Sequence, residues 1–204
     1  MNYPAFFDQA PRIVMHDSLA AFLGAADDGL LDYGYPDAVR LAGHSCPTVA
    51  GAWLMGRAAV RALYADETPE RGGIAVHMAG PEHDGVNGVI AQVLTLITGA
   101  AADNGFHGIG GRFARQSLLD YASTPGSGAV EFRRQDNGAA VSVALDFSSV
   151  PSSPNLRRLM MAAMQPAATK AQLTAFGEAW QARVQSLLID HADDAEVVRV
   201  TRLN

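Results

Sequence analysis

Residues Gly43-His44-Ser45-Cys46-Pro47 place the only cysteine of a 204-residue chain two positions after a histidine and directly before a proline. Sulfur and imidazole are the donors that a borderline-soft divalent metal takes up, and they are also the pair that makes a thiol nucleophile. Pro47 fits the first turn of a helix, where its missing N–H is not needed, so Cys46 stands at the expected N-cap. Ser45 is the better capping type, and a cysteine in that place breaks a local rule. Unpaired amides and the positive end of the helix dipole favour the thiolate there. Gly43 allows the bend that brings His44 and Cys46 to one point. The competing reading is structural: Cys46 fills a gap in the core and Ser45 is the cap.

Two donors do not complete a metal site, because zinc takes three protein ligands in a catalytic site and four in a structural one. The remaining candidates lie in two loops. His83 and Asp84 belong to Gly80-Pro81-Glu82-His83-Asp84-Gly85, and His107 to Gly105-Phe106-His107-Gly108-Ile109-Gly110-Gly111, which has four glycines in seven residues. The expected metal set is His44, Cys46, His83 and His107. Cys46 and Asp84 are the expected catalytic groups, with Asp84 or His83 as acid–base partner; the structural alternative for Asp84 is a helix cap. Gly108, Gly110 and Arg112, with Arg115 nearby, are candidates to hold a phosphate or pterin-like anion. The loop is not a dinucleotide fingerprint, because no strand feeds it directly, and an exposed turn is the alternative.

The elements that position these residues follow from spacing. Residues 17–26 read as a short helix capped by Asp17 or Ser18, and Pro36 opens another over Asp37–Arg40. Helix 47–64 has Val49, Trp53, Val60 and Leu63 on one stripe and small Gly51, Ala52, Gly56 and Ala59, which suit close approach of another element. Residues 74–78 alternate as a strand, and 87–98 form a second apolar helix, capped by Asp84 or Asn87. Residues 112–121 are expected to return to helix. Val130 and Phe132, then Val141, Val143, Leu145 and Phe147, flank Asp136-Asn137-Gly138 as a β-hairpin. Residues 155–164 and 168–189 read as helices, and Val197, Val198 and Val200 as a closing strand. Helices and strands mix without regular alternation, which gives an α+β fold: a mixed or antiparallel sheet packed by two apolar helices, with a C-terminal helical appendage. Residues 1–150 are the expected core domain and 151–204 an extension packed on it.

Composition sets the outer bounds. A net charge of −6 gives no basic footprint for nucleic acid. One cysteine excludes an internal disulfide and any multi-cysteine zinc or iron–sulfur centre within one chain. No stretch suits a membrane span, and the first residues do not read as a signal peptide, so a cytoplasmic protein is expected. Apolar surface on helices 47–64 and 87–98 beyond what a small sheet covers points to a homodimer.

His44-Ser45-Cys46-Pro47, opening a small-residue helix, resembles the FmdE family, named for a component of formylmethanofuran dehydrogenase, which carries a pattern like His-Gly-His-x-Cys-Pro-Gly before its first long helix. Ala42 stands for the first histidine and Thr48 for the last glycine. Gly88–Ala101 resembles the family's second apolar helix, whose cysteine falls near Ala100 and is absent here, and the hairpin from Phe132 to Val143 is similar to its later strands. The resemblance covers residues 15–150. It implies an α+β core, dimerisation and a metal pocket at the His-x-Cys corner; residues 151–204 lack the cysteines of the zinc module that some members add. The functional expectation is a metal-binding protein, with zinc as the divalent ion and a small molecule as ligand. Three roles are open: a metal-dependent enzyme, a metal or metal–pterin delivery module, and a thiol reaction at Cys46 with His44 as base.

Overall fold

The structure, a computed structural model, describes residues 3–203 except 125 and 127. Its five-stranded sheet has strand order β4-β3-β5-β6-β7, with β3 Ile74–Met78, β4 Leu119–Tyr121, β5 Val130–Arg134, β6 Ala140–Leu145 and β7 Val198–Leu203. β3 and β4 run parallel, and every other pairing is antiparallel. A separate antiparallel pair joins β1 Ile13–His16 to β2 Leu30–Tyr33. The fold is α+β, as the unalternating elements imply, with one mixed sheet. Among the described residues no helix is long and apolar enough to cross a membrane.

Two helices, α3 Pro47–Tyr64 and α4 Asn87–Thr98, pack on each other and on one face of the sheet. The small residues of α3 explain how closely. A Cβ on Gly51 would lie 2.5 Å from Phe147 Cζ, and one on Gly56 would lie 2.6 Å from Ile97 Cδ1. Any larger residue would therefore have to displace the Phe147 or Ile97 side chain. Trp53 is fully buried, and its indole N–H donates to Pro11 O at 2.9 Å. α3 is buried along most of its length and α4 buries Val93, Leu94 and Ile97, so the apolar surplus expected on these helices is covered within the chain.

Three shorter helices flank this core: α1 Ser18–Phe22, α2 Tyr35–Ala42 and, in the C-terminal stretch, α5 Leu156–Ala163. α6 Lys170–Gln185 follows and runs into a five-residue π-turn, Ser186–Asp190. The stretch expected as a helical extension also supplies β7, and Val184, Leu187, Leu188, Val197 and Val198 join the buried core. Only α5 and the first part of α6 stand away from it. α5 packs chiefly against α6 and buries no residue completely.

The expected helix over 112–121 is not formed. Phe113 and Ser117 have φ of 65° and 58°, left-handed values that a helix excludes. Leu119–Tyr121 instead pairs with β3. Helix 17–26 shortens to Ser18–Phe22, with Asp17 as its cap. Neither Asp84 nor Asn87 caps α4: its N-cap is Val86, and the Asn87 side chain donates to Pro81 O at 2.9 Å.

Candidate functional site

Cys46 is the N-cap of α3. Its backbone is extended (φ −150°, ψ 169°), and its sulfur accepts the Val49 N–H at 3.5 Å. The thiol is half-buried, against the edge of the core. Upstream, α2 ends in Gly43 at φ 76°, whose N–H donates to Val39 O at 2.9 Å. Only His44 and Ser45 therefore join one helix end to the next helix start, which leaves the segment little freedom.

Ser45 does not cap α3. It fastens this short segment to α6. The Ser45 hydroxyl donates to Gln181 Oε1 at 3.0 Å, and its carbonyl accepts from Trp180 Nε1 at 3.0 Å and Gln181 Nε2 at 3.1 Å. With that proton committed, the hydrogen bond to Tyr35 at 2.9 Å has the phenol as donor. Burial pushes the Tyr35 hydroxyl well above the ordinary phenol range, against a smaller opposing effect of the Ser45 bond. The phenol thus stays protonated, as a donor must.

His44 is exposed, and its Nδ1 lies 3.0 Å from Ala42 O. A carbonyl only accepts, so Nδ1 is the donor, and in the neutral ring the lone pair is then on Nε2. Backbone acceptors of this kind orient metal-bound imidazoles. The corner therefore offers one imidazole nitrogen and one sulfur from a fastened segment.

The other expected ligands are not gathered there. Among the described residues no three His, Cys, Asp or Glu side chains are grouped so as to hold a metal ion. His83 and Asp84 are exposed in the turn before α4, and His107 is exposed in the glycine-rich loop. A closed cage of His44, Cys46, His83 and His107 is not assembled among the described residues. Nor is Asp84 grouped with His44 and Cys46 as an acid–base partner.

The glycine-rich loop folds into a tight hairpin. Ile109 and Arg112 exchange both backbone bonds, at 2.9 and 3.0 Å, across Gly110 and Gly111, whose φ values are 56° and 76°. Two amides that an anion cradle would use are thus spent on the hairpin. Gly108, at φ 93°, sits where a Cβ would lie 2.4 Å from Arg112 O. The two arginines expected beside an anion are parted. Arg112 is exposed with its guanidinium over the Phe113 ring, 4.6 Å from the centroid, and Phe113 stacks on Phe22 at 5.2 Å. Arg115 turns inward.

Arg115 belongs to a buried ion knot that spacing alone does not reveal. Asp17, 3 % exposed, accepts from Leu19 N, Ala20 N and Arg115 Nη2 at Oδ1 and from Arg71 Nη1 at Oδ2. Burial opposes ionisation of Asp17, but the Arg71 hydrogen bond, the Ala20 amide and the Arg115 charge outweigh it and leave the carboxyl below its usual range. Arg71 also caps the carbonyl end of α4 through Leu96 O and Thr95 O. His16 and Ser18 N reach Glu70 at 2.5 and 3.0 Å. The capping role of Asp17 is the one part of this knot visible in sequence.

A cleft of about 460 Å³ runs along α4. Leu41, Leu96 and Leu119 line it, together with Gln92, Thr95, Glu82, Asp103 and Tyr121. Burial, with the neighbouring Glu82, raises the Tyr121 phenol. Compared with models of known protein families and with curated proteins, the chain matches none.

Proposed function

We propose that this chain is a metal-binding protein of FmdE-like descent, which holds a divalent ion, zinc by its donor chemistry, at an open corner made of His44 Nε2 and Cys46 Sγ. One observation carries the reading: the Nδ1–H of His44 is committed to Ala42 O, which aims a free nitrogen lone pair from the same two-residue segment that presents the capping thiol. The α+β core and the cysteine cap at the head of the small-residue helix support the kinship that the motif implies.

Two protein donors leave two positions of a tetrahedral ion open. A small molecule or a second copy of the chain fills them, and a homodimer is part of the same reading. This arrangement favours binding and delivery over turnover, because the acid–base partner that turnover requires is not grouped with the corner. A lone thiol stays reduced in the cytoplasm, which is the compartment this reading assigns.

Calorimetric titration of the full chain with zinc tests it. His44→Ala and Cys46→Ala should each abolish binding without changing the circular dichroism spectrum. Cobalt should give a sulfur-to-metal charge-transfer band in the wild type and none in Cys46→Ala. Equal zinc affinity in all three proteins would sink the proposal.

A further inference from the structure

The α5–α6 arm is chemically unlike the body that carries it. Residues 155–185 hold Arg157, Arg158, Lys170 and Arg183 against Glu178, a net of +3, so the rest of a chain that totals −6 carries −9. α5 rests chiefly on α6, and two large apolar side chains there are left to solvent. Met161 is 53 % and Met164 71 % exposed, and Arg157 and Arg158 are exposed beside them. At 3.6 residues per turn these four side chains share one face of the helix. Unbranched, polarizable methionines flanked by arginines suit an apolar groove with an acidic rim.

The α4 cleft offers both chemistries: Leu41, Leu96 and Leu119 line it, and so do the exposed residues Glu82 and Asp103. The guanidinium that lines it, Arg71, is already paired with Asp17. We infer that the arm docks into the α4 cleft of a second copy, with Met161 and Met164 against its leucines and Arg157 and Arg158 against Glu82 and Asp103. Key and lock are different surfaces of one chain, and a closed dimer results when two copies trade arms, so that the same contact forms twice about a two-fold axis. Anionic lipid is the less suitable partner, because a body of −9 is repelled by the surface that would attract the arm. The inference stands on the arm and the cleft and does not depend on metal binding at Cys46.

Sedimentation or light scattering of the full chain at micromolar concentration tests it. The wild type should be a dimer that weakens as salt rises. Met161→Asp with Met164→Asp should give monomers with an unchanged circular dichroism spectrum, since both side chains face solvent in the single chain. Arg157→Glu with Arg158→Glu, and Glu82→Lys with Asp103→Lys, should each raise the dimer dissociation constant about tenfold or more. The four substitutions together should restore the dimer. A wild-type monomer, a dimer indifferent to the methionine changes, or a charge exchange without rescue would overturn the inference. So would a monomer whose arm binds phosphatidylcholine vesicles containing phosphatidylglycerol. Zinc titration of the monomeric variants separates this outcome from the fate of the Cys46 site.

Discussion

At the head of α3 a thiol and an imidazole are held on a segment fastened through Ser45, whereas at the head of α1 a carboxylate is enclosed by two guanidiniums and two backbone amides. Both are helix caps made from reactive side chains. Asp17 has spent its acceptor capacity on the fold, tying α1 to Arg71 in the loop before β3 and to Arg115 beyond the glycine-rich hairpin. His44 keeps one nitrogen lone pair free, and the thiol of Cys46 makes a single bond. The contrast separates structure from function by saturation: a group whose partners are complete holds the chain together, and a group with a free lone pair on a fixed backbone is available to a ligand.

The largest effect expected is at the saturated cap. Asp17→Ala leaves Arg71 and Arg115 facing each other in the interior and should cost about 3–5 kcal/mol in denaturant unfolding; a loss near zero would show that the knot is dispensable. Gly72→Ala should come next, at about 3 kcal/mol. Its φ is 88°, and a Cβ there would lie 1.0 Å from Arg115 Nη1. If that collision is the cause, adding Arg115→Ala should make the pair markedly less than additive.

Smaller effects sharpen the other side of the comparison. Ser45→Ala removes the hydroxyl's bonds to Gln181 and Tyr35 but keeps both bonds to its carbonyl, and neither donor is lost, so zinc affinity should fall by less than about tenfold. Cys46→Ala should cost no more than about 1 kcal/mol of stability, the worth of a helix cap, while zinc binding disappears. Unfolding of that variant at room temperature would make the cysteine a core residue instead. The acid response is the finest test. Because the folded pKa of Asp17 is depressed, its stabilisation is fully present above the unfolded value of about 3.9 and is lost as pH falls through the lower folded value. Asp17→Asn should therefore flatten the fall in stability below about pH 4, and an unaltered acid limb would remove Asp17 from its origin.

Long, regular patterns were legible in the sequence. Helices 47–64 and 87–98 and the hairpin around Asp136-Asn137-Gly138 stand where periodicity and turn chemistry put them. The cysteine cap was legible too, because Pro47 marks the first turn. Short elements were not: β1 and β2 have four residues each, too few to show alternation. Residues 112–121 carry helix-compatible side chains, but parallel pairing with β3 and the inward turn of Arg115 decide their path. The placement of the candidate ligands was not legible for a related reason. Whether His83 and His107 meet His44 depends on how distant loops are placed, and no local spacing encodes that.

α6 has two attachments with opposite roles. Toward its C-terminal half, Trp180 and Gln181 grip the carbonyl of Ser45; at its other end it supports α5. A rigid rod with a handle at one end and a clasp near the other is a lever. Torque applied to the arm must strain the clasp or carry Ser45 along, so the alkylation rate of Cys46 would register, from a distance, whether the handle is held.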